Sequence, residues 1–271
     1  MTDSTSTSAA TPGRTPGTFA PRPGTAPLAR MILAQAGMEL RVLLRNGEQL
    51  LLTMVIPVLL LVGFGTTTLI DVGGGSRIDF LAPGVLALAV MSTAFTGQAI
   101  GTGFERRYGV LKRLGATPLP RFGLLSAKTL AVLAVQTIQI TVISAVALAL
   151  GWSPTGGPLG ALAAGALILL GTAAFSSFAL LLAGTLRAEA TLAAANLVYV
   201  VLLGLGGVLF PVDRYPDAIQ PVAAALPITA LAGGLRAVLT EGGGPPVVPL
   251  LVLAVWTVVG AVLASRFFRW E

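Results

Sequence analysis

Apolar residues in this chain gather in long blocks, and polar residues are confined to the stretches between them. Six runs, at residues 50–70, 81–103, 122–150, 159–186, 190–210 and 247–265, each reach the roughly 20 residues that a helix needs to cross a hydrocarbon core. They are apolar on every face, as expected of helices surrounded by lipid or by other helices. Lys128, near the start of the third run, is the only charged side chain inside them, and from there it can snorkel to the interface. Pro57 lies inside the first run, where its missing amide predicts a kink.

The intervening stretches predict smaller elements. Residues 28–48 bring Leu33, Leu40 and Leu44 onto one helical face, but Arg30, Glu39, Arg41, Arg45 and Glu48 make the segment too polar to span. It reads as a helix lying in the membrane interface, or else as an ordinary cytoplasmic amphipathic helix. Residues 1–27 are Ser, Thr, Pro, Gly and Ala with almost nothing large to bury, so they predict a disordered tail. Residues 211–244 are moderately apolar and broken by Pro216, Pro221 and Pro227. They predict either two short helices half-entering the membrane or an interfacial loop. In the fourth run, Ala161 and Gly165 share a face suited to close helix packing.

Composition and charge fix the class and the orientation. The 271 residues are 55% hydrophobic and 10% charged, against about 25% charged in a soluble domain. With the N-terminus inside, every Lys and Arg except Arg77, Arg214 and Arg236 falls on the cytoplasmic side. The positive-inside rule therefore selects a multi-pass protein with both termini cytoplasmic. The basic excess is spent on topology, and no nucleic-acid partner is read from it. Abundant Ala, Gly, Pro and Arg with little Lys suggest a GC-rich bacterial genome, and hence a bacterial plasma membrane.

The side-chain inventory excludes most catalysis. Cysteine and histidine are absent, which removes thiol and imidazole chemistry and Cys/His metal sites. Acidic residues are few and scattered, and Asp213 with Asp217 is only a weak pair. "GLLSAKT" at 123–129 superficially resembles a phosphate-binding loop, yet Ala127 stands where that loop needs glycine and no strand precedes it. Ion-coupled transporters usually carry a buried titratable group in their spans. Here the spans offer Gln98, Gln136, Gln139 and Asn196, which serve either as interhelical glue or as a mildly polar path for a substrate. A transport reading therefore requires energy from a partner that docks on the cytoplasmic face. A membrane-embedded transferase and a secondary transporter are the competing readings.

The docking candidate is "FERRYGVLKRLGATPLP", residues 104–120. Phe104, Tyr108, Leu111 and Leu114 follow a helical spacing that predicts one apolar stripe, with Glu105, Arg106, Arg107, Lys112 and Arg113 on the other faces. Gly115 suits the C-terminal cap and Pro118 prevents continuation. The segment is a rigid lever, a positive-inside anchor, or a binder of anionic lipid head groups.

The loop with its continuation, "ERRYGVLKRLGATPLPRFGLLSAKTLA", resembles the one after the second span in permeases of the type 2 ABC exporter family. The outer segment "LFPVDRYPDAIQPVAAALPITALAGGLRAVL" is similar to that family's pattern, with Pro211, Pro216, Pro227 and Arg236 at matching places. The resemblance implies an all-α integral membrane protein with six transmembrane helices, an N-terminal interfacial connecting helix, a cytoplasmic coupling helix and an outer re-entrant segment. It implies that residues 105–114 seat in a cytoplasmic ATP-binding subunit, with Glu105, Arg106, Arg107, Gly109, Leu111, Lys112, Arg113 and Leu114 as the coupling residues. The connecting helix, through Arg41 and Arg45, would also touch that subunit. A second copy or a related permease would complete the path, ATP and Mg would reside in the partner, and this chain would carry no cofactor and be no enzyme. Family members similar in size and layout export hydrophobic drugs or antibiotics, and others move polysaccharides or lipids; the apolar, uncharged lining here favours an amphipathic small molecule. Arg107 and Val110 depart from the family pattern, which has an acidic residue and Thr there.

Overall fold

In the computed structural model, residues 26–67, 76–240, 242 and 245–268 are described. The tail through residue 25, residues 68–70 of the first apolar run and Arg269 lie outside them. The described residues are helical, without a strand. In chain order the helices are α1 (Leu28–Arg45), α2 (Gly47–Thr66), α3 (Arg77–Met91), α4 (Gln98–Arg107), α5 (Val110–Gly115), α6 (Arg121–Ala149), α7 (Gly157–Thr185), α8 (Ala188–Leu205), α9 (Gln220–Ala225), α10 (Pro227–Leu239) and α11 (Val247–Phe267). A π-helical segment, Ser92–Gly97, joins α3 to α4 without a break, and a 3₁₀ turn at Val212–Arg214 precedes α9.

Among the described residues, five helical stretches are long and apolar enough to cross a membrane: Arg77–Arg107, Phe122–Ala149, Gly157–Thr185, Ala188–Leu205 and Val247–Phe267. In the first predicted run the described apolar helix is shorter, Thr53–Thr66, and it continues through Pro57. The central element is α3, in which every residue from Leu81 to Met91 is buried. The outer helices are inverted relative to a soluble protein, with Leu197 and Val200 of α8 and Val248, Leu251, Val255 and Val258 of α11 exposed. Apolar side chains on those faces are at no disadvantage in lipid. In α7 the close-packing face is Gly160, Ala164 and Leu167, not the predicted Ala161 and Gly165, because the contact with α10 comes from the adjacent side.

The spans alternate in direction. The C-terminal ends of α4, α7 and α11 and the N-terminal ends of α6 and α8 share one end of the bundle, which carries Arg106, Arg107, Lys112, Arg113, Arg187 and Arg266. This is the basic end.

The segment before α11 is folded into the bundle. Ile228, Leu231, Leu235 and Val238 of α10 are buried against α3 and α7. The indole of Trp256 donates to Ala225 O at 2.8 Å. Arg236, which the charge count places on the non-cytoplasmic side, turns its side chain into the bundle. It donates to Phe80 O at 3.0 Å, Gly207 O at 2.7 Å and Val208 O at 3.0 Å, and lies 3.7 Å from the centre of the Phe80 ring. Carbonyls exposed at a helix end need donors, and a guanidinium can serve several at once. Gly84 makes room for it, since a Cβ there would lie 2.7 Å from Val208 O and 2.8 Å from the guanidinium.

Candidate functional site

The described charges that are buried meet near the basic end, where α1 packs along α6. Ile32, Ala36, Glu39 and Leu43 recur at helical spacing on one face of α1, and that face meets α6. Lys128 of α6, with its side chain only 7% exposed, donates to Glu39 Oε1 at 3.1 Å and to Glu105 Oε2 of α4 at 2.5 Å. Gln35 donates to the same Glu39 oxygen at 3.0 Å. One ammonium thus clasps three helices. The sequence led us to expect Lys128 to snorkel outward. It does not, because two carboxylates satisfy it inside. Burial in a low-dielectric setting makes the mutual dependence strong, since removing either sign leaves the other uncompensated.

Around the clasp is a small, mostly apolar cavity of about 50 Å³ that also includes Gln98 and Thr102. Gln98 is buried there, and neither its amide nitrogen nor its carbonyl oxygen has a hydrogen-bond partner among the described residues.

Beyond Glu105 the predicted single helix is two. α4 ends at Arg107, and Gly109 takes a left-handed conformation (φ 70°) before α5 begins. Such a φ costs an L-residue roughly 1–2 kcal/mol, so the bend falls at the glycine. The bend divides the expected apolar stripe. Leu111 is buried and Phe104 and Leu114 are half-buried, whereas Tyr108 is 64% exposed, stacked on Phe104 with Arg107 over its ring. Gly115 closes α5 in the ordinary helical region rather than as a left-handed cap.

The basic residues here divide into two sets. Arg106 donates to Leu186 O, and Arg107 pairs with Glu189 at the start of α8, so both tie α4 to the α7–α8 connection. Lys112 and Arg113 on α5 are exposed, as are Arg41 and Arg45 on the face of α1 turned away from α6.

Two polar residues of α6 carry the contact further into the bundle. Gln139 donates to Thr53 O of α2 at 3.1 Å and accepts from Thr93 Oγ1 at 2.6 Å. Gln136 donates to Val90 O at 3.3 Å and accepts from Thr172 Oγ1 at 2.8 Å. Both are fully buried, so they are interhelical hydrogen-bond connectors. Replacing Gln139 with Leu should lower stability by about 1–3 kcal/mol, because the Thr93 hydroxyl and the Thr53 carbonyl lose their partner. Thermal unfolding of the purified chain measures this, and an unchanged midpoint would refute the connector role.

Asn196 lies elsewhere, in a cleft of about 480 Å³ between α2, the π segment and α8. The cleft combines Asn46, Thr53, Ser92, Thr96, Asn196 and Tyr199 with Ile56, Ile100 and Leu192. Thr96 Oγ1 is buried there without a hydrogen-bond partner among the described residues. π-helical turns recur at functional sites because they displace side chains from the α-helical register. Here the turn presents Ser92 and Thr96 to the cleft and Thr93 to Gln139.

Sequence reasoning missed Glu39 and the pairing role of Lys128. A signal was present. A lone cation inside an apolar run calls for a carboxylate partner, and Glu39 is a charge set among Ile32, Ala36 and Leu43 on the apolar face of its own helix.

Compared with known families, residues 32–240 match the model of the ABC-2 type transporter. No curated protein matches the sequence. The match covers α1, the clasp, the cleft and the folded-in segment through α10. An ABC-2 membrane domain implies a cytoplasmic ATP-binding subunit as its working partner. The chain belongs to the ABC-2 type transporter family, as a multi-pass membrane permease subunit.

Proposed function

We propose that this permease exports a hydrophobic or amphipathic compound across a bacterial plasma membrane, driven by ATP hydrolysis in a separate subunit that holds ATP and Mg. Its basic end faces the cytoplasm with both termini, α2 serves as the sixth span, and α9–α10 re-enters the membrane from outside. Two permeases, identical or related, flank the path.

One observation carries the coupling reading. Lys112 and Arg113 are exposed on a short helix whose supporting helix is held to α1 and α6 by the Glu39–Lys128–Glu105 clasp. In this reading α5 seats in the ATP-binding subunit through Lys112 and Arg113, with Arg41 and Arg45 of α1 beside it. Glu105, Arg106 and Arg107 hold the lever to the bundle, Leu111 and Leu114 hold α5 beneath it, and Gly109 is its bend. Displacement of α5 moves α4, and the clasp forces α1 and α6 to follow. Gln139 connects α6 to Thr53 and to the π segment, both of which border the cleft. The cleft, with Asn196 and the threonines as its polar points, is the proposed substrate path. Gln98 lies on the clasp side of that connection, and Gln136 braces α6 against α3 and α7.

The experiment is co-purification. Lys112→Glu with Arg113→Glu should reduce recovery of the partner ATP-binding subunit about tenfold or more, with membrane insertion unchanged, because rim charges govern encounter and partner choice. Undiminished recovery would refute α5 as the docking element.

A further inference from the structure

On another side of the fold, α7, α8 and α11 border an apolar groove of about 610 Å³. Leu226, Pro227 and Trp256 line one end, and Leu186 and Phe267 line the end that lies at the basic end of the bundle. From Trp256 to Phe267 the groove extends about 16 Å at 1.5 Å per residue, half of a hydrocarbon core of about 30 Å. Its depth is therefore that of a single leaflet.

The two ends differ chemically. At the inner end the indole N–H of Trp256 is already donated to Ala225 O, and its ring packs edge-to-face with Phe178 at 5.4 Å. At the mouth, Arg187 directly follows Leu186, and Arg266 directly precedes Phe267. Both arginines are exposed, and neither has an ion pair among the described residues. Gly184 lies against Phe268, so the helix ends that carry them touch.

The geometry points to a binding site for an anionic phospholipid from the leaflet at the basic end, with an acyl chain in the groove and the phosphate between Arg187 and Arg266. A helix from a second copy would need a groove running the full height of the bundle, whereas one that spans half of it suits a chain anchored at one surface. Two arginines at the mouth supply the complementary charge. The site depends on the orientation of the groove relative to the basic end, not on which side of the membrane that end faces.

The full-length chain, purified in detergent, is examined by native mass spectrometry with added phosphatidylglycerol or phosphatidylcholine of the same acyl composition. The expected result is retention of phosphatidylglycerol roughly 10–30-fold tighter, the scale of about 1 kcal/mol per basic residue at an anionic surface. Arg187→Gln with Arg266→Gln should abolish that preference. Val198→Trp, which fills the groove from an exposed position on α8, should reduce retention of both lipids. Equal retention of the two lipids by the unaltered chain overturns the proposal, as does phosphatidylglycerol retention that neither variant changes. Retention of a second copy in place of lipid, lost in Val198→Trp, overturns it as well.

Discussion

Lys128→Met destabilises the chain by about 3–5 kcal/mol, the scale expected when a buried ion pair loses one partner. The side chain removed is of similar length and apolar, so packing changes little. What remains is Glu39 and Glu105 facing each other across the junction of α1, α4 and α6, with the cation that joined them gone. The two carboxylates then repel or take up protons, and either response loosens the three helices. The control is a variant in which Lys128→Met is combined with Glu39→Gln and Glu105→Gln. Without charge the joint should recover most of its stability, because neutralising a buried network is far less costly than breaking it. Thermal unfolding of the purified proteins reads both steps. A Lys128→Met midpoint equal to that of the unaltered chain would show that the clasp bears no stability. A combined variant no better than the single one would show that packing, not charge, is responsible. Transport separates stability from the proposed coupling: the neutral variant lacks the ionic link, so transport driven by the proposed ATP-binding partner should be reduced severalfold.

Arg236→Lys is the second large effect, and the conservative-looking replacement is chosen deliberately. The guanidinium serves the carbonyls of Phe80, Gly207 and Val208 together and lies flat on the Phe80 ring. A lysine ammonium is a compact charge that cannot reproduce that planar fork. At least one buried carbonyl on the α8–3₁₀ connection loses its donor, and the stacking contact goes as well, so a loss of about 3 kcal/mol is expected. Arg236→Met should behave similarly or worse. Thermal unfolding is again the measurement, and a lysine variant that melts with the unaltered chain would exclude the shape of the guanidinium as the reason for this residue.

What was legible in the sequence was what lipid itself imposes. Long apolar blocks with charges pushed to their ends mark the later spans and the basic end, because a hydrocarbon solvent tolerates little else. Pairing across the bundle was not legible. Glu39 and Lys128 are far apart in sequence, and helical spacing tells which residues share a face without telling what that face meets. Gly109 was hidden for another reason. The spacing of Phe104, Tyr108, Leu111 and Leu114 fits an unbroken helix, and a glycine inside a helix costs only about 0.5–1 kcal/mol, too little by itself to mark a bend. The outer segment was legible as proline-broken and apolar, but the inward turn of Arg236 depends on which carbonyls α8 leaves without partners.

The π-helical turn at Ser92–Gly97 has a consequence for how this span tolerates change. A π turn holds one residue more than an α turn, so it takes up that residue locally while α3 and α4 keep their relative orientation. Above it, α3 is surrounded by protein; below it, α4 must aim Glu105 at Lys128 and Arg107 at Glu189 at the same time. Deleting one residue from the turn would let it close as an ordinary α turn with nearly the same net rotation, so Glu105 and Arg107 would keep their aim while Ser92, Thr93 and Thr96 would leave their displaced positions. The irregularity therefore serves the turn's own side chains, and the placement of Thr93 and Thr96 is what a one-residue deletion should cost.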